Sequence, residues 1–377
     1  MNSPAKDASQ KAKEELIAAI EEKQCFRLEA GAGSGKTYTL VKILEYLIRK
    51  KASEFLTHGQ RISCITFTNV AVEEIKNRIG NHSLVNVSTI HSFCWEVISG
   101  FQKNLIQLIP SLNPNWVKIF TEEIDVTQLK VVYDQGYPKI TENELFLHHD
   151  DVIDLFVKLL EKNKFRLFLY GKYPIILIDE YQDTNKRLLE AVFNYLITQD
   201  KRFLIGFFGD SWQEIYAFSS ERNLNIPWVS IKTITLNANF RSAVKIVKML
   251  NKMRQELSQE IDQTDSFGEI SIYHTNDYPG ERRKDNHWKN NLPAKDASNY
   301  LDKVKDRLTK SGWDFDPTKT KILMLTHKGL AEEQGYHTIT KVFDNSDEYL
   351  KRTNPYMKFC LDVLEPIYRN FQDKHYG

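Results

Sequence analysis

The sequence predicts an α/β fold in which a parallel sheet is wrapped by helices, and three observations predict it. Short strand-like runs alternate with helical patterns along most of the first 240 residues, as parallel strands joined by crossover helices require. A glycine-rich segment, GAGSGKT at Gly31–Thr37, stands between the first such run and the first long helical pattern. A wholly apolar run, Ile175–Ile178, ends in the acids Asp179 and Glu180.

The strand candidates are Phe26–Ala30, Ile62–Phe67, Val87–Ile90, Ile175–Asp179, Phe203–Gly209 and Thr233–Leu236. Several are apolar throughout, as strands covered on both faces should be. Helices fit between them: Leu40, Leu44, Leu47 and Ile48 share one face, and Val72, Ile75 and Ile79 share another. After Ser99 the alternation stops, and Pro110 and Pro114 punctuate a mostly helical stretch. The expected organisation is a main domain in two parts, 1–98 and 171–265, split by a helical insertion at 99–170. A second sheet is expected within 266–377, from ISIYHT after Gly268, a helix near Ala297–Leu308, and KILMLT at Lys321–Thr326. The polar stretch between its first strand and its helix reads as a loop.

A chain of 377 residues is long enough for two or three compact units. No apolar stretch is long enough to cross a bilayer, and the N-terminus lacks the apolar core of a secretory signal, so no membrane association is expected. Cys25, Cys64, Cys94 and Cys360 are too scattered for a zinc site or a disulfide scaffold, which points to a reducing cytoplasm. Net charge is only +1, so any groove for a polyanion must be local. HHDD at His148–Asp151 resembles a metal cluster, but acids just before VIDLFVKLLEK fit a helix cap better.

GAGSGKT satisfies GxxxxGK[ST] in its required setting, after a strand and before a helix. In such a loop the glycines Gly31, Gly33 and Gly35 let the backbone curl until its N–H groups, those of Ala32 and Ser34 included, face phosphates, and the helix N-terminus adds a favourable dipole. Lys36 would meet the β- and γ-phosphates of ATP, and Thr37 would place its hydroxyl on Mg²⁺. Asp179, at the carboxyl end of its strand, suits the same Mg²⁺ shell. Glu180 is placed to orient and deprotonate an attacking water. Alone, such an acid pair is a weak signal, since acids often cap a following helix; beside a phosphate loop it becomes a strong one.

Six segments, GAGSGKT, ITFTNVAVEEIKNRI, VSTIHSF, LIDEYQDTN, FGDSWQEIYAF and LNANFRS, resemble in that order the successive motifs of the UvrD/Rep/PcrA family of superfamily 1 DNA helicases. The resemblance implies a RecA-like P-loop NTPase fold and an ATP-driven motor on single-stranded DNA or at a single-strand/duplex junction. On it, 1–98 and 171–265 are the first motor domain and 266–377 part of a second, with the start of an accessory insertion. Gln213 falls where the family's glutamine senses the γ-phosphate, and Arg241 where its arginine reaches that phosphate. Phe240 matches an aromatic near the adenine, although composition alone makes it equally a core residue. Tyr38 stands where many relatives place an arginine near the base. The upstream adenine-reading glutamine corresponds best to Gln10, which lies farther from the loop than the pattern asks and is otherwise a solvent-facing helix residue.

For DNA, the resemblance assigns base stacking to Phe67, Tyr216 and Phe218, and neutral contacts to Thr66, Asn69, Thr89 and His91. By periodicity alone Phe67 is as well placed for a core. Phe218 replaces the usual tryptophan, Ser219 an arginine and Val70 a lysine. The family's two later motifs, with their second arginine finger, do not occur in the sequence; THKGL at Thr326–Leu330 follows directly on a strand-like run and does not match. The expectation is a fragment or shortened relative that hydrolyses ATP weakly and does not unwind duplex by itself. The alternative is a nucleotide-gated regulatory module beside a nuclease partner in a defence or repair complex, with the missing finger supplied in trans.

Overall fold

The computed structural model describes residues 3–112, 116–117, 129–134, 139–214, 226–262, 267–284, 289–324, 330–331, 335, 338, 342 and 355–372. The chain divides into two compact units, Met1–Ile270 and Ser271–Gly377.

The first unit is built on a six-stranded sheet of β1 (Phe26–Ala30), β2 (Ile62–Thr66), β3 (Val85–Thr89), β7 (Ile175–Asp179), β8 (Leu204–Gly209) and β9 (Lys232–Leu236). Its order is β3-β2-β7-β8-β1-β9 and every pairing is parallel, so all six strands end on one edge. Alternation sorts each strand onto two cores. Phe26, Leu28, Cys64, Leu177 and Phe208 face the helices α1 (Pro4–Glu21), α2 (Lys36–Thr57) and α3 (Asn69–Arg78). Ile65, Ile176, Ile178, Ile205 and Phe207 face α4 (Ile90–Ile98) and the later helices. Helices on both faces explain the unbroken apolar runs. The glycine loop leaves β1 and the acid pair leaves β7, with β8 between them, which is the RecA-like arrangement.

Residues 99–170 do not form a body apart. Phe156, Leu159, Phe165 and Leu169, on the helices His149–Leu160 and Asn163–Lys172, share one continuous core with Ile176, Phe193 and Phe207 of the main unit. The segment also holds a small sheet that the helical reading missed: β4 (Lys130–Tyr133), β5 (Lys139–Ile140) and β6 (Glu144–Leu147), in the order β4-β6-β5. Gln102 stands in for a further strand, its amide accepting from the Val131 N–H at 2.7 Å and donating to the Val131 carbonyl at 3.1 Å. HHDD is a cap: the His148 ring accepts from the Asp150 N–H, and the Asp151 carboxylate accepts from the His148 N–H at 2.9 Å.

The second unit departs from expectation. Its described residues contain the helix Ala294–Lys310, with Tyr278 donating to Asp296 at 2.7 Å, but no strand. No strand is formed among the described residues of ISIYHT and KILMLT, where Ile272 is 75% and Leu323 95% exposed. An apolar run becomes a strand only where neighbours take up its N–H and C=O groups, and two short runs supply a single, marginal ladder.

Candidate nucleotide site

The site lies where β1, β7 and β8 end. After β1 the chain turns through Gly33 and Gly35, whose φ values of +79° and +86° are left-handed and cheap only for glycine. At Gly33 even space is closed: a Cβ would stand 2.9 Å from Asn239 Oδ1. The turn is held from outside by amides. Asn239 Nδ2 and Gln259 Nε2 both donate to the Ala32 carbonyl, at 3.0 and 3.2 Å, and the Phe240 N–H donates to the Gly33 carbonyl at 2.9 Å. α2 then begins at Gly35 with no side-chain cap, leaving its first N–H groups open toward the loop.

Across β8, the turn after β7 brings the acids to the loop. Glu180 has φ +50°, and its carboxylate pairs with the Lys36 ammonium. Gln182 also donates to that carboxylate at 2.7 Å, while its carbonyl oxygen accepts from the Asp210 N–H at 3.1 Å. Asp179 is buried, and burial pushes its carboxyl up to about 6, with Lys36 opposing the rise and Glu180 adding to it. Its Oδ1 and the hydroxyls of Ser34 and Thr66 are buried without a partner among the described residues. Gly209, at the end of β8, has no room for a side chain, because a Cβ would meet Tyr181 and Gln182 within 2.5 Å.

The structure therefore gathers Gly31, Ala32, Gly33, Ser34, Gly35, Lys36, Thr37, Asp179 and Glu180 at one strand edge. Phe240 lies with its ring against Gly35, and Arg241 follows with its Cβ beside Gly33, its N–H fixed by Asn239 Oδ1 at 3.0 Å. Tyr38 is exposed in the first turn of α2, under the Lys42 ammonium. Gln213 donates to Asp210 Oδ2 at 2.7 Å. Gln10 is not drawn in; it faces solvent on α1 and donates to Glu14 at 2.7 Å, its helix-surface identity.

The expected DNA residues fare unevenly. Phe67 stands just past β2 and is 40% exposed, and Asn69 is exposed at the start of α3, which Thr68 caps. Thr66 corrects the expectation: its side chain is fully buried beside Asp179, one position past the Ile65–Ile178 pair, so it faces the sheet edge and not solvent. Thr89 is engaged as the cap of α4, and the His91 ring stacks on His149 at 3.3 Å. Tyr216 and Phe218 lie outside the described residues.

Sequence reasoning missed an ionic chain behind the site. The Arg254 guanidinium bonds Asp210 and lies 3.4 Å from Glu29, whose carboxylate also accepts from Tyr181 Oη. Glu29, an acid in the strand FRLEA that also holds Arg27, was its visible signal.

Among the described residues no helix is long and apolar enough to cross a membrane. A family model described as an AAA domain matches residues 13–219. Among curated proteins, the chain is 26% identical to the Gabija protein GajB of Bacillus cereus (strain HuB5-5), over 91% of this chain and 61% of that protein. It is 27% identical to the ATP-dependent DNA helicase Rep of Buchnera aphidicola (59% of this chain, 42% of the relative). With the ATP-dependent DNA helicase PcrA of Staphylococcus epidermidis the identity is 28% (61% and 38%). The chain thus spans less than two-thirds of the length of each of these relatives. A solved structure, the Pif1 helicase from Candida albicans, overlaps 64% of this chain and 43% of its own at 18% identity, with a TM-score of 0.34. Because the domain match takes in more than half of the residues, the chain belongs to the AAA domain family, as a UvrD-like helicase ATP-binding domain.

Proposed function

We propose that this chain binds ATP with Mg²⁺ and hydrolyses it in response to single-stranded DNA, as the first lobe of a helicase motor. The observation that carries the reading is the meeting of Lys36 with Glu180 beside the uncapped start of α2. The open N–H groups and Lys36 would hold the phosphates. Mg²⁺ fits the donor set, since Thr37 offers an oxygen and Asp179 a buried carboxylate with one atom lacking a partner. When bound, the ion draws charge from the β- and γ-phosphate oxygens. A triphosphate would compete with Glu180 for Lys36, releasing the carboxylate to orient water and take its proton. Gln213 and Arg241 would address the γ-phosphate, and Phe240 and Tyr38 the base. Phe67 and Asn69 present the exposed surface for DNA. In this reading 1–98 and 171–265 form the motor lobe, 99–170 is integrated into it, and 266–377 opens a second lobe.

Steady-state ATP hydrolysis by the purified chain, with and without oligo(dT), tests this. Hydrolysis that rises at least severalfold with DNA and vanishes in Lys36→Ala is expected; hydrolysis indifferent to both refutes it. A second reading, a nucleotide-gated module that regulates a nuclease partner, is favoured by the similarity to the Gabija protein GajB, which takes in 91% of this chain. Stimulation by a partner protein and not by DNA would select it.

A further inference from the structure

Arg254 closes the helix Val244–Met253 and belongs to none of the segments expected to touch nucleotide. Its guanidinium is nearly buried, bonded to Asp210 Oδ1, 3.4 Å from Glu29 Oε2 and 3.2 Å from Glu256 Oε1, with the Trp212 ring 5.4 Å away. Asp210 is itself buried, and its carboxylate is shared out atom by atom: Oδ1 takes Arg254 and the Trp212 N–H at 3.1 Å, and Oδ2 takes the Gln213 amide at 2.7 Å. An ionised carboxylate only accepts, so Gln213 must turn its NH₂ inward. Its Oε1 then faces outward, with no bonded donor among the described residues. Without the Arg254 guanidinium the Asp210 carboxylate loses the partner that holds it in place, and the Gln213 amide loses its fixed acceptor.

We infer that Arg254 is a positioning residue for the water that attacks the γ-phosphate: through Asp210 it fixes the Gln213 amide with Oε1 turned to accept from that water. The inference rests on the reading that a nucleoside triphosphate occupies the glycine loop. Arg254 touches no nucleotide itself. Its competing role, neutralising Glu29 and Asp210 for the sake of folding alone, would affect every ligand of the loop equally.

The test is isothermal titration of the 377-residue chain with Mg²⁺-ATPγS and Mg²⁺-ADP, in wild type, Gln213→Ala, Asp210→Asn, Arg254→Gln and Arg254→Lys. Wild type should prefer ATPγS, and Gln213→Ala should lose about tenfold of that preference, the weight of one hydrogen bond. Arg254→Gln and Asp210→Asn should lose the same amount with ADP affinity within about twofold, and should add nothing when combined with Gln213→Ala. Arg254→Lys, keeping the charge without the two-armed geometry, should recover part of the loss. Retained preference in Arg254→Gln and Asp210→Asn, equal losses for both nucleotides, or losses that add to Gln213→Ala would each overturn the inference. Should Arg254→Gln fail to fold, Asp210→Asn carries the comparison, since it frees the Gln213 amide to turn while leaving Arg254 an acceptor. Failure of wild type to bind either nucleotide sinks the ATP reading itself, whereas intact discrimination in the variants sinks only the role of Arg254.

Discussion

Replacing Glu180 by glutamine should push binding and turnover in opposite directions. The carboxylate has two tasks in the proposed cycle, pairing with Lys36 before nucleotide arrives and serving water afterwards. The first opposes binding, because phosphate must displace it. The pair is partly shielded, with side chains 12% and 34% exposed, so its worth lies above that of a surface pair and below that of a buried one. A value on the order of 1–2 kcal/mol is appropriate. Glutamine keeps the shape and loses the charge, so Lys36 is released and ATP affinity should rise by about 5- to 30-fold. The second task is lost outright, and kcat should fall by about 10² to 10⁴, the usual contribution of a general base. Titration with a fluorescent nucleotide gives the affinity, and single-turnover hydrolysis with saturating oligo(dT) gives the rate. Lys36→Ala is the control, since it should weaken both. Weaker nucleotide binding in Glu180→Gln, or a rate within about twofold of wild type, would refute the assignment of both tasks to this side chain.

Three further outcomes are expected. Phe67→Ala should weaken oligo(dT) binding, read by fluorescence anisotropy, by one lost stack of about 1–3 kcal/mol, with little change in Tm because the ring is 40% exposed; a large Tm loss would return Phe67 to the core. Gly33→Ala should abolish nucleotide binding and cost about 1–3 kcal/mol in denaturant unfolding, since alanine would meet both the φ of +79° and Asn239 Oδ1 at 2.9 Å. The Glu96 side chain is 38% exposed; what burial it has raises its carboxyl, but Lys172, Tyr173 and Asn86 together hold it below the usual carboxylate range. Its folded pKa is thus depressed, so its stabilisation is present above the ordinary glutamate pKa and lost as pH falls through the lowered one. Glu96→Gln should therefore flatten the acid limb of a Tm–pH profile, and an unchanged limb would exclude the contribution.

The main sheet was legible because strands buried on both faces must be written as unbroken apolar runs, and Ile175–Asp179 is found as read. Boundaries slipped where capping competes with pairing. Ile90 reads as the last residue of a strand but opens α4, because Thr89 spends its hydroxyl on the Ser92 N–H. The small sheet of β4, β5 and β6 was illegible because its strands are short and one edge is satisfied by the Gln102 amide, a contact across 29 residues that no local pattern encodes. ISIYHT differed the other way, a good strand pattern that forms no strand among the described residues. In the site, the loop lysine and the acid pair were legible because phosphate and metal chemistry fix residue types at fixed spacing. The chain from Gln182 through Asp210 and Arg254 to Glu29 was not, since Arg254 and Glu29 lie 225 residues apart.

The conformation of Glu180 ties these levels together. With φ +50° it occupies a region that costs a non-glycine residue about 1–2 kcal/mol. Glycine would remove that cost, as it does at Gly33 and Gly35. A glutamate in the extended conformation would instead carry β7 onward, past the sheet edge and away from the loop. The left-handed turn reverses the chain at once, as the Asp183 N–H bonding back to the Glu180 carbonyl at 2.9 Å records, and it sends the carboxylate to Lys36. The absence of a side chain at Gly209 then lets Tyr181 and Gln182 lie flat over the end of β8, which is what allows Gln182 to touch both Glu180 and Asp210. Strain at one residue and emptiness at another thus place Glu180 and Gln213, the proposed γ-phosphate sensor, on one bonded path. That is why a strained glutamate at this position reads as a requirement of chemistry and not of folding.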